Sequence, residues 1–150
     1  MTACNCEKND VVNLLLEHSS SKFLIPLDEQ KFAFMKACSF GWIEVVETLL
    51  DNPNGQIFLI KDGNGQSGFE NACNHERSNV VKLLLNHSTS RHLITVDEKK
   101  VAFMKACTSG RSQVSWRLLK SSSVEDLLKT RDNNAATGFI RACNFGSVGI

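Results

Sequence analysis

The sequence predicts an all-α fold, a solenoid of helix-turn-helix units joined by turn or finger connections. Three observations carry that prediction. The dipeptide Ala-Cys returns at Ala3-Cys4, Ala37-Cys38, Ala72-Cys73, Ala106-Cys107 and Ala142-Cys143, in steps of 34, 35, 34 and 36 residues. Phe34, Phe69, Phe103 and Phe139 precede the last four, with two residues between. Apolar blocks trail the first three, at Val11–Leu16, Val45–Leu50 and Val80–Leu85, and a degraded one follows at Val114…Leu118-Leu119. A fixed period of this length marks a repeat architecture, in which one unit buries its apolar stripe only against its neighbours.

A longer period lies over the short one. Shifting the chain by 69 residues sets Ala3–Leu50 on Ala72–Leu119 without a gap, with 27 of 48 positions identical. A shift of 70 sets Gly68-Phe69 on Gly138-Phe139. Two repeat types therefore alternate, as duplication of a two-repeat unit would leave them. One type opens on an Asp and a turn, Asp62–Phe69 and Asp132–Phe139; the other opens on Asp28-Glu29-Gln30-Lys31 or Asp97-Glu98-Lys99-Lys100.

The units run roughly over 1–27, 28–61, 62–96, 97–131 and 132–150, in one array spanning 1–150. In the first, the chain starts inside a first helix at Ala3-Cys4, and Val11–Leu16 form the second helix. In the second, Phe34, Ala37 and Cys38 lead to a turn at Gly41 and then to Val45–Leu50. The third is the clearest. Ser67 can cap a helix on which Phe69, Ala72 and Cys73 share one face at i, i+3 and i+4. A turn follows near Glu76-Arg77, then Ser78 or Asn79 as the cap of a second helix. Val80, Val81, Leu84 and Leu85 form its inward stripe. Both helices should run about 8–10 residues, too short to persist without packing. The fourth unit repeats the second, with its turn at Gly110. The fifth stops just after a first helix, at the turn glycine Gly146. The connections Ser19–Leu27, Asp51–Gln66, Ser88–Val96 and Ser121–Ala135 should be turns or hairpin-like fingers, with Ile57–Ile60 as an alternative brief edge strand.

Composition narrows the function. The chain has 150 residues, a net charge of +1, 42% hydrophobic and 22% charged residues, which excludes disorder. Near-neutral charge argues against nucleic acid as a main partner. No apolar run reaches the length of a secretory core or a membrane span, so the chain reads as intracellular, cytoplasmic and without a membrane partner. The sequon Asn86-His87-Ser88 is then a chance tripeptide.

Chemistry-bearing residues read as packing. Five of the six cysteines are one position repeated about one solenoid step apart. That exceeds disulfide reach and lacks the short pairings of a zinc site, so they should be reduced core residues. Cys4-x-Cys6 is a weak pair, and Cys6 aligns with the turn residue His75. His18 and His87, equivalent positions ending second helices, suit the helix dipole or a terminal carbonyl. No triad surrounds them. Met35 and Met104 pack, and Gly63-Asn64-Gly65 is a turn rather than a phosphate cradle. Ser121–Ser123 fit a capped loop, with phosphorylation as the alternative. No catalytic residue, cofactor or metal site is expected.

The period and the paired short helices resemble the ankyrin repeat family, whose first helix carries Thr-Pro-Leu-His-x-Ala. The matching stretches are Ser67–Ala72 and Thr137–Ala142. The family's acidic residue before the turn resembles Asp62 and Asp132, its turn glycine Gly65, and its interhelical glycine Gly41, Gly110 and Gly146. Its Val-Val-x-Leu-Leu-Leu helix is similar to Val11–Leu16 and Val80–Leu85. Glycine replaces the proline, phenylalanine the leucine, and Glu70, Ile140, Met35 and Met104 the histidine. A tetratricopeptide array is the rival, but the chain has no tyrosine, and Pro26 and Pro53 share no repeat position.

The resemblance implies a non-catalytic protein-protein interaction scaffold. Such arrays grip partners with finger tips and the exposed face of first helices. The matching positions are Asp28, Glu29, Lys31, Ser39, Phe40, Trp42, Asn64, Gln66, Asn74, His75, Asp97, Glu98, Lys100, Thr108, Ser109, Asn133, Asn134, Asn144 and Phe145, with Gly63 at one finger tip. Phe40, Trp42 and Phe145 are the aromatics expected to be exposed; packing of Phe40 and Phe145 against a neighbouring turn is the alternative. Trp116, which replaces Glu47 of the sister unit, should be exposed on the convex side. Lys31, Lys36, Lys99, Lys100 and Lys105 sit near Asp28, Glu29, Asp97 and Glu98. They read by default as a solvated face, with a basic groove for acidic partners as the alternative. A second functional reading is a targeting region of a larger enzyme or multidomain protein. Val11–Leu16 and Phe139 should lose cover at the two ends, giving a fragment or a product that self-associates.

Overall fold

The computed structural model describes residues 2–18, 24–51, 57–58 and 60–148, with side chains placed for 8–18, 24–51, 57–58 and 60–144. Nine α-helices lie among them: α1 Thr2–Glu17, α2 Leu27–Phe40, α3 Ile43–Leu50, α4 Gly68–Asn74, α5 Ser78–Asn86, α6 Val96–Ser109, α7 Ser112–Ser121, α8 Val124–Lys129 and α9 Gly138–Val148. They form two compact units, Met1–Leu93 and Ile94–Ile150. The all-α class read from the sequence is the observed one.

In the first unit, α2 packs on α3 and α4, α3 on α1 and α5, and α4 on α5. Phe34, Ala37, Cys38, Val45, Val46, Phe69, Ala72, Val80, Val81 and Leu84 are fully buried. Burying each Val or Leu contributes roughly 1.5–3 kcal/mol, which holds helices of 7–9 residues that would not persist alone. In the second unit, α6 packs on α7, α8 and α9 around Phe103, Val114, Leu118 and Leu127.

Turns follow the expected chemistry. Gly41 and Gly110 close α2 and α6 at φ 80° and 71°, in the left-handed region where a side chain is strained. In the third repeat Glu76 takes the same role at φ 56°, and Arg77 Nε donates to the Ser39 carbonyl at 2.9 Å. Ser67 caps α4 as expected, its hydroxyl accepting from the Glu70 N–H at 3.2 Å. Cys38, Cys73 and Cys107 are buried thiols. Burial pushes the Cys38 thiol far above its ordinary range, and raises Cys107 against an opposing hydrogen bond from Ser115.

Two of the expected connections are hairpin-like over 61–67 and 131–137, while residues 19–23, 52–56 and 59 of the connections lie outside the described residues. Single antiparallel bridges join Lys61 to Ser67 and Arg131 to Thr137. Inside each, an Asp side chain gathers the turn. Asp62 Oδ1 accepts from the N–H groups of Asn64 and Gln66 at 2.8 and 3.0 Å; Asp132 Oδ1 accepts from Asn134 and Ala136 at 2.9 and 3.0 Å.

Several expectations are corrected. The connection 121–135 contains α8, because Ser123 caps it by accepting from the Asp126 N–H and Leu127 anchors it in the core. At Ile57–Ile60 no strand forms among the described residues; Ile57 and Phe58 are buried in a 3₁₀ turn, with Phe58 edge-on to Phe34 at 6.3 Å. Neither Ser78 nor Asn79 caps α5: the preceding residue is Arg77, without a side-chain cap, as Trp42 and Arg111 are before α3 and α7. The two helices expected in the first repeat, at Ala3-Cys4 and at Val11–Leu16, are one continuous α1, since no described residue between them takes the left-handed turn that Glu76 takes in the third repeat. Gly146 lies inside α9; glycine permits the left-handed turn, and it is made where a second helix follows at α3 and α7. The first helices of the second and fourth repeats run 14 residues, because their Asp-Glu openings are helical rather than turns. Cys143 is exposed rather than buried, as Phe139 on the same helix is, because no second helix covers that face of α9 among the described residues.

Candidate functional site

In the first unit, a cavity of about 390 Å³ lies between α2 and the finger at 60–63. Lys31, Phe32, Lys36 and Ser39 of α2 form one wall, and Lys61 and Asp62 the other. Phe32, Lys36 and Phe40 follow at i, i+4 and i+8, so they line one edge of the helix. The Lys36 ammonium sits 5.5 Å from the Phe32 ring centre and 5.6 Å from that of Phe40. Phe32 is 66% exposed and Phe40 41%. Phe40 stacks on Trp42 at 5.6 Å, so the exposed and the packed readings of Phe40 both hold in part. Trp42 is half-buried, and its indole N–H is buried without a partner.

The electrostatics of the finger are settled by its own hydrogen bonds. Asn71 Nδ2 donates to Asp62 Oδ2 at 2.9 Å. That bond, with the backbone N–H groups of Gln66 and Asn64, holds the Asp62 carboxyl below the usual range against some loss of solvation. In the second unit burial would raise Asp132, but the Ala136 N–H, the Arg141 side chain and the Asn134 N–H together lower it. Arg141 grips Asp132 with Nε at 2.6 Å and Nη2 at 2.5 Å.

The remaining expected partner-binding residues fall into separate neighbourhoods. Asp28 and Glu29 are exposed in the first turn of α2 and line a second cavity of about 490 Å³ against Val12 and Leu15 of α1. Asn64 is exposed at the finger tip, and Gln66 is half-buried at its base. Asn74 is half-buried at the end of α4; His75 is exposed, with Nδ1 2.9 Å from the Asn71 carbonyl. In the second unit Asp97, Thr108, Ser109, Asn133, Asn134 and Asn144 are exposed, and Lys100 is half-buried. Glu98 secures the start of α6. Its carboxylate accepts from the Thr95 N–H at 2.8 Å while Thr95 Oγ1 accepts from the Glu98 N–H at 3.1 Å, a capping box. The Phe145 side chain and those of Cys4 and Cys6 lie outside the described residues.

Outside this surface, Trp116 is exposed as expected, with Lys120 Nζ 4.2 Å and Arg117 5.0 Å from its ring centre. His87 meets a carboxylate rather than a carbonyl: Nδ1 accepts from the Thr89 N–H at 3.2 Å, which leaves Nε2 to donate to Asp51 at 2.9 Å. Among the described residues, no three of His, Cys, Asp and Glu gather to hold a metal ion. Sequence reasoning missed Phe32 and Lys61. The signal for Phe32 was present: at a shift of 69 an aromatic faces Val101, at a register outside the buried stripe.

Helix-turn-helix repeats with Asp-gathered fingers define an all-α helical repeat protein. A family model described as ankyrin repeats (3 copies) matches residues 1–94 and 34–132. The chain belongs to the ankyrin repeat family. Ankyrin repeats are in general modules of protein-protein interaction and typically non-catalytic. Comparison with curated proteins and with solved structures returns no match. Among the described residues no helix is long and apolar enough to cross a membrane.

Proposed function

We propose that this chain is a non-catalytic protein-binding module that engages its partner through the exposed first-helix faces and finger tips. The observation that carries the reading is the open cavity between α2 and the finger at 60–63, lined by the exposed Phe32, with the exposed Phe40 further along the same helix edge. Exposed aromatics beside a concave wall are the usual anchors of an interface. The walls are rigid for local reasons: the Asp62 cluster fixes the finger, and Gly41 with Arg77 fixes the end of α2. A preorganised surface loses little entropy when it binds. The mechanism is presentation of that surface, with no bond made or broken.

The test is capture of the native partner by the immobilised protein. Phe40→Ala combined with Asn74→Ala should abolish capture while leaving the circular dichroism spectrum unchanged. Unaltered capture by the double variant would overturn this surface.

A further inference from the structure

We propose that the partner element seated between α2 and the finger at 60–63 is an acidic peptide carrying one large apolar anchor. This rests on the protein-binding reading above and names the chemistry of its partner.

The sister repeat builds the same fold without the aromatic edge. The sister repeat has Val101 where α2 has Phe32, Ser109 for Phe40 and Arg111 for Trp42, yet buries the same Phe103, Ala106 and Cys107. Val101 is itself 51% exposed, so the register faces water in both copies. Two aromatic replacements, Phe32 and Phe40, stand exposed on one edge of α2 in one copy of a duplicated unit, and the half-buried Trp42 supports Phe40 by stacking; the exposed rings are then explained by a contact outside the chain. An apolar side chain laid against Phe32 removes that ring from water, and the Lys36 ammonium between Phe32 and Phe40 is left to meet a carboxylate.

The charge around that edge selects the rest of the ligand. Lys31, Lys36 and Lys61 all line the cavity. Among the described residues neither Lys31 nor Lys36 has an ion-pair partner, and Lys61 reaches Glu70 only at 3.9 Å. The one acid lining the cavity, Asp62, has both oxygens engaged by Asn71, Asn64 and Gln66. Asp28 and Glu29 line the other cavity. A basic ligand would meet three ammonium groups, and a wholly apolar one would desolvate them without compensation. Carboxylates flanking an apolar anchor satisfy both surfaces. Three lysines in a chain of net charge +1 are too few for the phosphate contacts of nucleic-acid binding.

The experiment is fluorescence anisotropy on the full chain with three labelled 12-residue peptides. One is of Asp, Glu and Ser with a single central Phe; the second has that Phe replaced by Ser; the third has every acid replaced by Lys. The acidic Phe peptide should bind one per chain and weaken with added salt. The Ser version should bind at least tenfold more weakly, and the Lys version not at all. Phe32→Val, the sister residue, and Lys36→Gln should each cost about tenfold or more. Lys105→Gln, the sister position of Lys36, should change nothing. Phe32→Val should unfold at the parent temperature, since valine stands at that register in the fourth repeat. Equal binding of the Phe and Ser peptides, binding of the Lys peptide, no binding of any, or indifference to Phe32→Val overturns the proposal. If it falls while Phe40→Ala with Asn74→Ala still abolishes native capture, the chemistry assigned to the ligand is wrong and the wider reading stands.

Discussion

A Cβ built on Gly68 would lie 2.6 Å from Cε1 of Phe34 and 3.0 Å from Sγ of Cys38; one on Gly138 would meet Phe103 Cε1 at 2.8 Å and Cys107 Sγ at 3.0 Å. The two departures from the ankyrin motif, glycine for proline and phenylalanine for leucine, are therefore one coupled change. The larger ring of one repeat fills the space the side chain would take in the next. Gly68→Ala should destabilise the protein by about 1–3 kcal/mol through overpacking. Phe34→Leu should recover part of that loss, so urea unfolding of the double variant tests the coupling, and strict additivity would refute it. Ala135 holds a left-handed φ of 59° where the sister finger has Gly65 at 75°. Ala135→Gly should stabilise by about 0.5–1 kcal/mol, read as a raised thermal midpoint. The Asp62 and Asp132 carboxyls both lie below the usual range. The folded chain then binds fewer protons than the unfolded chain near the ordinary Asp value of ~3.9. Their stabilisation is full above that pH and lost as pH falls through the folded values. Asp62→Asn should flatten the acid limb of a stability-against-pH curve. The acidic position before each turn was legible from the family pattern, but its partners were not, because Asn71 and Arg141 lie nine residues on and carry no shared motif.

At the scale of elements, capping shows where sequence was sufficient. Ser67 and its helix follow from one hydroxyl and one spacing, and the hydrogen bond is there. The capping box of Thr95 and Glu98 was hidden, because Glu98 sits in a charged opening that reads as solvated surface. Its sister helix α2 begins after Pro26, with no side-chain cap. Thr95→Ala should therefore cost about 1 kcal/mol, measured by chemical denaturation. Helix α8 escapes sequence reading since a single short amphipathic turn, Val124–Lys129, has no periodicity to detect; Leu127 alone anchors it in the core. The run of α1 across the expected turn and of α9 through Gly146 has one lesson. A turn signal is permissive, and tertiary contacts decide whether it is used.

For the whole molecule, the period and the class were legible because packing repeats, whereas the surface was not, because nothing requires two copies to face water alike. Leu14 on α1 and Phe139 on α9 are exposed, at 65% and 73%. Association through them should appear as concentration-dependent elution in size-exclusion chromatography, suppressed by Leu14→Glu with Phe139→Glu. A monomer at every concentration would refute it. Thiol labelling should separate the repeated cysteine by position, with Cys143 modified in the native state and Cys38 only in denaturant.

The two fingers solve the same problem with different partners, an amide at Asn71 and a guanidinium at Arg141. A hydrogen bond donated by the Asn71 amide to a carboxylate involves no second charge, while the Arg141 pair is partly open to water and to its ions. Ionic strength should thus divide the duplicated structure. In about 1 M salt, where the Debye length shrinks to about 3 Å, carboxyl NMR should find Asp132 titrating closer to its ordinary range and Asp62 unmoved. The finger held by a guanidinium should answer to the salt around it more than its twin held by an amide.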